Sequence, residues 1–313
     1  MSRDPAPEDP LPPPPKAALC VAICTHDRPR QLAALLDGLV AQTIKTPFLV
    51  LIVDNGTQPA SGTVAPYLSK LPIVLESIPQ AGLAAVRNRA MRLGLEHGCA
   101  DLAFIDDDEV PVPGWLRALL SRQDETGADL VFGPVLAKFH GTPPGWVTAG
   151  GFFERPGTTP GSGNVLIRLG ALPASEADWF LDVFAAVGGE DAEFFDRLCD
   201  GGAVKVTAPE AIAHEDTPPS RTSVRFIWRR GLRDGAVIAQ RIALRDWPRH
   251  RKLAFGARRF GEKLGFALNH FFWSWRTPWR AIRGVADLGS AWAILLFSLG
   301  YRFHFYGRKP GRG

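Results

Sequence analysis

The chain has 313 residues, and 46% of them are hydrophobic, so it can bury a full core and is not a disordered protein. Its formal net charge of +4 is unevenly distributed. Residues 1–220 carry 16 Lys and Arg against 28 Asp and Glu, whereas residues 221–313 carry 20 against 4. The first part is acidic and the second is strongly basic, which indicates that the two parts face different surroundings.

The first 16 residues contain seven prolines and almost no large apolar side chain. Such a segment cannot bury enough surface to offset the entropy lost on ordering. We therefore predict that residues 1–16 are a disordered leader.

The four cysteines form no close metal-ligand pattern, and two of them lie inside one apolar run. We therefore expect all four to be reduced core residues: Cys20, Cys24, Cys99 and Cys199. Neither a disulfide framework nor a charged-then-apolar amino-terminal segment is recognisable, which favours a cytosolic compartment over secretion.

Strands and helices are predicted to alternate along the first third of the chain. Nearly continuous apolar runs, typical of parallel strands buried on both faces, occur at 17–24, 48–53, 73–77 and 102–105. Helical spacing at 32–40 and a second helix ending near residue 96 separate these runs. This alternation predicts an α/β fold with a mostly parallel sheet flanked by helices, whose ligands bind beyond the carboxyl ends of the strands.

Polar residues end three of the predicted strands, at Thr25, at Asp54 and at the run Asp106, Asp107 and Asp108. Three adjacent carboxylates raise each other's pKa and call for a cation. Oxygen ligands favour Mg²⁺ or Mn²⁺, and Mg²⁺ is usually shared with substrate phosphates, so a nucleotide diphosphate is the expected companion. One such strand end could be ordinary turn chemistry, but three on one edge favour a binding site.

A Gly- and Pro-rich loop without predicted secondary structure spans residues 141–163 and includes Trp146. Long loops of this kind are often lids or binding loops, although core packing explains Trp146 equally well. Asn164 begins a short predicted strand directly after it. We expect the surroundings of Trp146 and Asn164 to select the substrates.

The pair Gly188 and Gly189 precedes a predicted helix whose first residues are Glu190 and Asp191. Acidic residues are ordinary at a helix start, but glycines allow the backbone to approach a ligand closely. A carboxylate that accepts a proton would be well placed here. We call residues 17–220 the body of the protein. His214 follows the last predicted strand of the body, and it is either a packed residue or a partner for a metal.

An ordered set of motifs resembles the family 2 inverting glycosyltransferases of the GT-A fold, above all those of bacterial succinoglycan and exopolysaccharide synthesis. The set comprises residues 24–29 (Cys-Thr-His-Asp-Arg-Pro), Asp54-Asn55, 85–88 (Ala-Val-Arg-Asn), 104–109 (Phe-Ile-Asp-Asp-Asp-Glu) and 188–191 (Gly-Gly-Glu-Asp). The likeness covers residues 19–231, about two thirds of the chain. It implies a Rossmann-like GT-A domain at 17–220.

The resemblance also implies roles for particular residues. Asp191 is similar to the catalytic base, with Glu190 as the alternative, while Asp108 and His214 look like metal ligands. Nucleotide-sugar binding is implied for Thr25, Asp54, Arg87, Asn88, Asp106 and Asp107. A basic and aromatic stretch near the acceptor or diphosphate includes Arg225, Trp228 and Arg229.

The resemblance implies transfer of a sugar, glucose in the succinoglycan enzymes, from a UDP-sugar to a lipid-linked oligosaccharide with inversion. The Gln-x-x-Arg-Trp motif and paired transmembrane helices of processive synthases are missing, which favours a single addition. Two alternatives share the fold: a sugar-1-phosphate nucleotidyltransferase, although a basic Gly-rich loop does not follow the first strand, and a non-catalytic membrane-bound scaffold.

The basic tail, residues 221–313, contains six of the nine tryptophans. Aromatic side chains suit the headgroup layer, and basic residues suit an anionic surface, so we expect peripheral or monotopic binding to the cytoplasmic face of the inner membrane rather than nucleic-acid binding. A membrane span is disfavoured. The charged residues Asp287 and Arg302 flank the apolar segment 291–299 and leave only about 14 residues between them, short of the roughly 20 that a spanning helix requires.

Overall fold

The computed structural model describes residues 18–78, 82–158 and 161–306. The predicted leader, residues 1–16, lies outside the described residues. The strands are β1 (Leu19–Thr25), β2 (Phe48–Asp54), β3 (Ile73–Ser77), β4 (Asp101–Asp106), β5 (Glu109–Pro111), β6 (Leu130–Phe132), β7 (Val135–Phe139), β8 (Asn164–Arg168), β9 (Lys205–Thr207) and β10 (Ala213–Thr217). The helices are α1 (Pro29–Val40), α2 (Ser61–Val64), α3 (Leu83–Glu96), α4 (Trp115–Thr126), α5 (Gly145–Gly150), α6 (Glu190–Asp200), α7 (Val224–Leu244), α8 (Arg249–Trp273) and α9 (Trp279–Ser298).

The central sheet has the strand order β3-β2-β1-β4-β8-β6-β9. Strands β1 to β4 are parallel, as the apolar runs predicted. Strand β8 runs antiparallel to both of its neighbours, β4 and β6. The predicted mostly parallel sheet is therefore confirmed, and its antiparallel insertion is a feature that the sequence pattern did not indicate.

The central sheet is covered on both faces. Side chains of β1 alternate between two cores, with Cys20 and Ala22 in the cluster that includes helices α3 and α6, and Val21 and Ile23 in the cluster that includes α1 and α4. Because both faces are buried, these strands lack the polar alternation of a half-exposed sheet. This burial places the functional side chains at the strand ends.

A second, three-stranded sheet has the order β5-β10-β7. Its strand β7 is separated from β6 of the central sheet by Gly133 and Pro134. A Cβ at Gly133 would lie 2.2 Å from the Ala211 carbonyl oxygen, so the chain passes too close to its neighbour for any side chain. The small sheet brings β10 beside the acidic residues that follow β4.

The expectation that all four cysteines are reduced is wrong for one pair. Cys20 and Cys99 form a disulfide, with their Cα atoms 6.2 Å apart, whereas Cys24 and Cys199 are free. Cys99 lies just before β4, which pairs with β1, so the fold joins two residues that are 79 positions apart. The disulfide removes one argument for a cytosolic compartment.

The C-terminal extension is helical, as predicted, and packs onto the body. Its helices α7 and α9 approach closely: a Cβ at Gly231 would lie 2.2 Å from the Ala286 carbonyl oxygen. Ala236 and Ala293 share a buried cluster with Phe184 of the body. Among the described residues, α9 alone is long and apolar enough to span a membrane, with a mean hydropathy of 1.3 and 33% of that window buried in the protein.

Candidate active site

The carboxyl ends of β1 and β4 are joined by their polar residues. The Thr25 hydroxyl donates to Asp107 Oδ2 at 3.0 Å, and Arg28 Nη1 donates to Asp107 Oδ1 at 2.8 Å. Asp107 is nearly buried, and burial raises the pKa of its carboxyl group. Asp107 therefore fastens the loop after β1 to the acidic run after β4.

Asp108 is surrounded by two guanidinium groups. Its Oδ2 atom lies 3.0 Å from Arg28 Nη1 and accepts a hydrogen bond from Arg221 Nη2 at 3.3 Å. The other end of the Arg221 guanidinium binds Glu215 of β10 at 2.5 Å. In this structure the predicted metal ligand is thus neutralised by Arg28 and Arg221.

Glu109 lies beneath this edge and is completely buried. Burial raises the pKa of Glu109 well above its ordinary value, and the negative charges of Asp106 and Glu215 raise it further. Among the main influences, the positive charge of Arg155 alone lowers this pKa. Arg155 Nη2 donates to Glu109 at 2.6 Å and to Glu215 at 3.0 Å. A Cβ at Gly163 would lie 2.6 Å from Glu109 Oε1, so the loop crosses directly over this carboxyl group.

Asp106 faces a buried arginine, Arg87. Arg87 Nη2 lies 3.8 Å from Asp106 Oδ1, and Arg87 Nη1 pairs with Glu190. Desolvation by the surrounding protein raises the pKa of the Asp106 carboxyl group to about 6, against the lowering effect of Arg87. Arg87 thus joins the acidic run after β4 to the first residue of α6.

Asp191 lies in the first turn of α6, after two glycines with positive φ, Gly188 at 79° and Gly189 at 83°. Its Oδ1 accepts the Ala192 N–H at 2.8 Å, and its Oδ2 accepts the Ser162 N–H at 3.3 Å. Asp191 has no ion-pair partner within the described ranges, whereas the neighbouring Glu190 is buried against Arg87. Of the two predicted base candidates, Asp191 has the freer carboxylate.

Three predicted binding residues are engaged by hydrogen bonds within the protein itself. Asp54 accepts the N–H groups of Gly56 and Ala60, both at 2.8 Å. The amide of Asn88 donates to the Phe180 carbonyl and accepts the Phe180 N–H. The buried Asn164 amide bonds Trp115, Pro134 and Ala211. These contacts shape the loops, and substrate contact by Asp54, Asn88 and Asn164 stays a prediction.

Within the described residues, no hydrogen bond or ion pair joins the acidic run to Trp146, Arg225, Trp228 or Arg229. Trp146 packs edge-on against Phe152, in a cluster with Val147 and Phe153, which favours the packing interpretation of its role. The loop that contains it is also not structureless, because it includes α5. Arg225 and Arg229 are exposed on α7, and Trp228 is half-buried.

No group of three or more His, Cys, Asp or Glu side chains that could hold a metal is found in the described ranges. His214 lies in β10 opposite Val110, and metal binding by Asp108 together with His214 stays a prediction. Because Mg²⁺ is usually bound by one or two carboxylates together with substrate phosphates, Asp108 still fits a metal that is shared with a nucleotide. The fit requires that the metal replace Arg28 and Arg221.

Several residues of the site were not identified from sequence. They are Arg28, Glu109, Arg155, Ser162, Glu215 and Arg221. Arg28 and Glu109 lie inside motifs that were recognised, so their position was a usable signal. The others come from distant segments with no distinctive local pattern, and only the fold brings them to the strand ends.

Comparison with known proteins defines the class of this protein as a glycosyltransferase. The model of glycosyl transferase family 2 matches residues 20–170. The succinoglycan biosynthesis protein ExoM of Rhizobium meliloti is 31% identical over 71% of this chain and 74% of its own length. Glycosyltransferase AglE of Haloferax volcanii is 35% identical over 37% of this chain and 38% of its own length.

This chain therefore belongs to glycosyl transferase family 2. Its fold is similar to that of residues 1–349 of TarS from S. aureus, solved with UDP, with a TM-score of 0.53 and 17% identity over 90% of this chain and 92% of the other. That likeness supports the GT-A architecture predicted from the sequence, including the helical C-terminal extension.

Proposed function

We propose that this protein is an inverting glycosyltransferase that moves a hexose, glucose by its likeness to the succinoglycan enzymes, from a UDP-sugar to a lipid-linked oligosaccharide. The observation that carries the proposal is the placement of Asp191, a carboxylate without an ion-pair partner in the described part of the chain, near the edge formed by Asp106, at the end of β4, and Asp108. Arg87 connects this edge to the start of α6, where Asp191 lies, because it contacts both Asp106 and Glu190.

The acidic edge, which is formed by Asp106, Asp107 and Asp108, suits the donor side of the reaction. Departure of a nucleoside diphosphate builds negative charge on the leaving oxygens, which cations must offset. A divalent metal held by Asp108 would supply that neutralisation as a Lewis acid when bound. Arg28 and Arg221 already lie at Asp108, so they are placed to move from the carboxylate to the diphosphate.

Asp191 suits the acceptor side. The attacking hydroxyl must lose its proton, and a positioned carboxylate can accept it. The Ser162 N–H and the Ala192 N–H hold the Asp191 carboxylate in one orientation. A single displacement with one base inverts the anomeric centre, which is why we propose inversion.

The extension suits a membrane-borne acceptor. Phe272 and Trp275, around the α8–α9 turn, are 68% and 70% exposed, and the Arg276 guanidinium lies over the Trp275 ring. Exposed aromatics beside arginines match the headgroup layer of an anionic membrane. Arg283 of α9 donates to the carbonyl of Gly150, the last residue of α5, so the helix that follows this turn contacts the body five residues before Arg155 of the acidic edge.

A donor screen tests the enzymatic proposal. Purified protein is incubated with UDP-glucose, UDP-galactose or UDP-GlcNAc, a polyprenyl-diphosphate oligosaccharide, and Mg²⁺ or Mn²⁺, and product and anomeric configuration are read by NMR. We expect β-linked product that disappears in EDTA and in Asp108→Asn. Full activity in EDTA would contradict the metal role, and an α-linked product would contradict inversion.

Vesicle sedimentation tests the membrane proposal. We expect the full chain to pellet with anionic vesicles and the triple variant Phe272→Ser, Trp273→Ser, Trp275→Ser to remain largely soluble. This variant is preferable to truncation after residue 220, because α7 and α9 bury Phe184 of the body. Equal pelleting of both proteins would contradict the proposed surface, and resistance to high salt would indicate insertion of α9.

A further inference from the structure

The chain beyond α9 returns to the loop that precedes the proposed base. We call residues 301–306 the C-terminal strap. The Phe305 N–H donates to the Ala186 carbonyl at 2.7 Å, and the Tyr306 N–H donates to the same oxygen at 3.3 Å. The Phe303 ring lies parallel to that of Phe305, with centroids 5.6 Å apart, and Phe303 is buried in the cluster that contains Phe184. The strap is thus anchored to the body just before Gly188.

Tyr306 closes over Gly188. A Cβ at Gly188 would lie 2.8 Å from the Tyr306 Cε2 atom, so the ring lies directly on the glycine backbone. The Tyr306 hydroxyl accepts a hydrogen bond from Arg233 Nη1 of α7 at 3.1 Å. The ring is therefore held from α7 on one side and rests on the loop on the other.

The next residue is restrained by α7 itself. A Cβ at Gly189 would lie 2.6 Å from Val237 Cγ1, and Gly188 and Gly189 both have positive φ. Two successive glycines have more backbone freedom than any other pair, so their conformation depends on what packs against them. Here Tyr306 and Val237 supply that packing, and Asp191 follows two residues later.

We infer that Tyr306 is a positioning residue for the catalytic base: its ring fixes the Gly188–Gly189 backbone and thereby the direction of the Asp191 carboxylate. This inference rests on the proposed role of Asp191. Placement matters because a displacement of about 1 Å in a reacting group can slow turnover about 10²-fold. The C-terminal strap would then be part of the active-site wall rather than a tail.

Hydrogen exchange tests the inference without substrate. We expect Tyr306→Ala to increase deuterium uptake in the peptide that covers Gly188–Asp191, while peptides of β1 and β4 keep the exchange of the wild type. Tyr306→Phe keeps the ring and should exchange almost as the wild type does. His304→Ala is the matched control, because this side chain is exposed in the same strap. Unchanged uptake in Tyr306→Ala would overturn the inference.

Kinetics with the donor found in the screen separate positioning from binding. We expect Tyr306→Ala to lower kcat by about tenfold or more and to leave the donor KM within about twofold, with rescue in Tyr306→Phe. In the Asp191→Asn background, Tyr306→Ala should cause no further loss, because the ring acts through Asp191. A loss of the same size in both backgrounds would overturn the inference. Near-normal turnover of Asp191→Asn alone would instead overturn the base assignment, which makes the two failures distinguishable.

Discussion

The guanidinium of Arg87 and the carboxylate of Glu190 form a buried ion pair that joins α3 to the first turn of α6. The Coulombic attraction of Glu190 raises the pKa of Arg87 despite its burial, so the arginine stays charged. Adjacent residues therefore have different tasks: Glu190 neutralises Arg87, and Asp191 keeps a carboxylate without an ion-pair partner among the described residues.

We expect variants of Asp191 and Glu190 to differ: the first should lose turnover and the second should lose stability. Asp191→Asn should keep UDP binding and thermal stability and should slow transfer by about 10²–10⁴-fold. Glu190→Gln removes one partner of a buried pair, so it should lower the free energy of unfolding by about 3–5 kcal/mol. Chemical denaturation and UDP titration calorimetry of both variants check this. A stable Glu190→Gln with no turnover would move the base to Glu190.

Metal binding should compete with the arginines at Asp108. We expect Arg221→Gln to bind Mn²⁺ more tightly than the wild type in the absence of nucleotide, because one cation no longer occupies the carboxylate. Mn²⁺ titration followed by electron paramagnetic resonance measures this directly. Arg241→Gln is the matched control, since Arg241 pairs with Asp196 on α6. Equal Mn²⁺ affinities for all three proteins would show that Asp108 is not the ligand.

We expect the raised pKa of Glu109 to make the thermal stability of the protein depend on pH. Its pKa is raised in the folded state, chiefly by burial, so the folded protein holds this proton more tightly than the unfolded chain does. The stabilisation is complete below the ordinary pKa of 4.5 and is lost as the pH rises through the folded-state value. Glu109→Gln should therefore show a flatter decline of Tm above pH 5 than the wild type. Parallel Tm curves would contradict this.

The α7–α9 contact predicts a steric effect. A Cβ at Gly235 would lie 2.2 Å from the Ser290 carbonyl oxygen, so Gly235→Ala must separate the helices. Overpacking of this kind costs about 1–3 kcal/mol, measured by urea unfolding. Gly261→Ala on α8 is the control, because its Cβ would meet open space and should stabilise the helix slightly. Equal stability of the two variants would contradict the close packing.

The sequence by itself determined the elements whose signal is local. Uninterrupted apolar runs predicted β1 to β4 because strands buried on both faces need no polar alternation, and the run Asp106 to Asp108 marked the carboxyl edge because charged groups end such strands. The family motifs then added Arg87 and Asp191. Each of these features can be recognised within a few residues of the chain.

Only the tertiary structure decided which distant groups meet. The disulfide of Cys20 and Cys99, the contact of Arg221 with Asp108 and the return of Tyr306 to Gly188 join residues 79 to 118 positions apart. Sequence spacing does not reveal such contacts, because they depend on strand order, on the antiparallel direction of β8 and on the packing of α7 against α9. Arg155 and Arg221 reach the acidic edge through the fold and not through any local pattern around them, whereas Arg28 lies within a recognised motif.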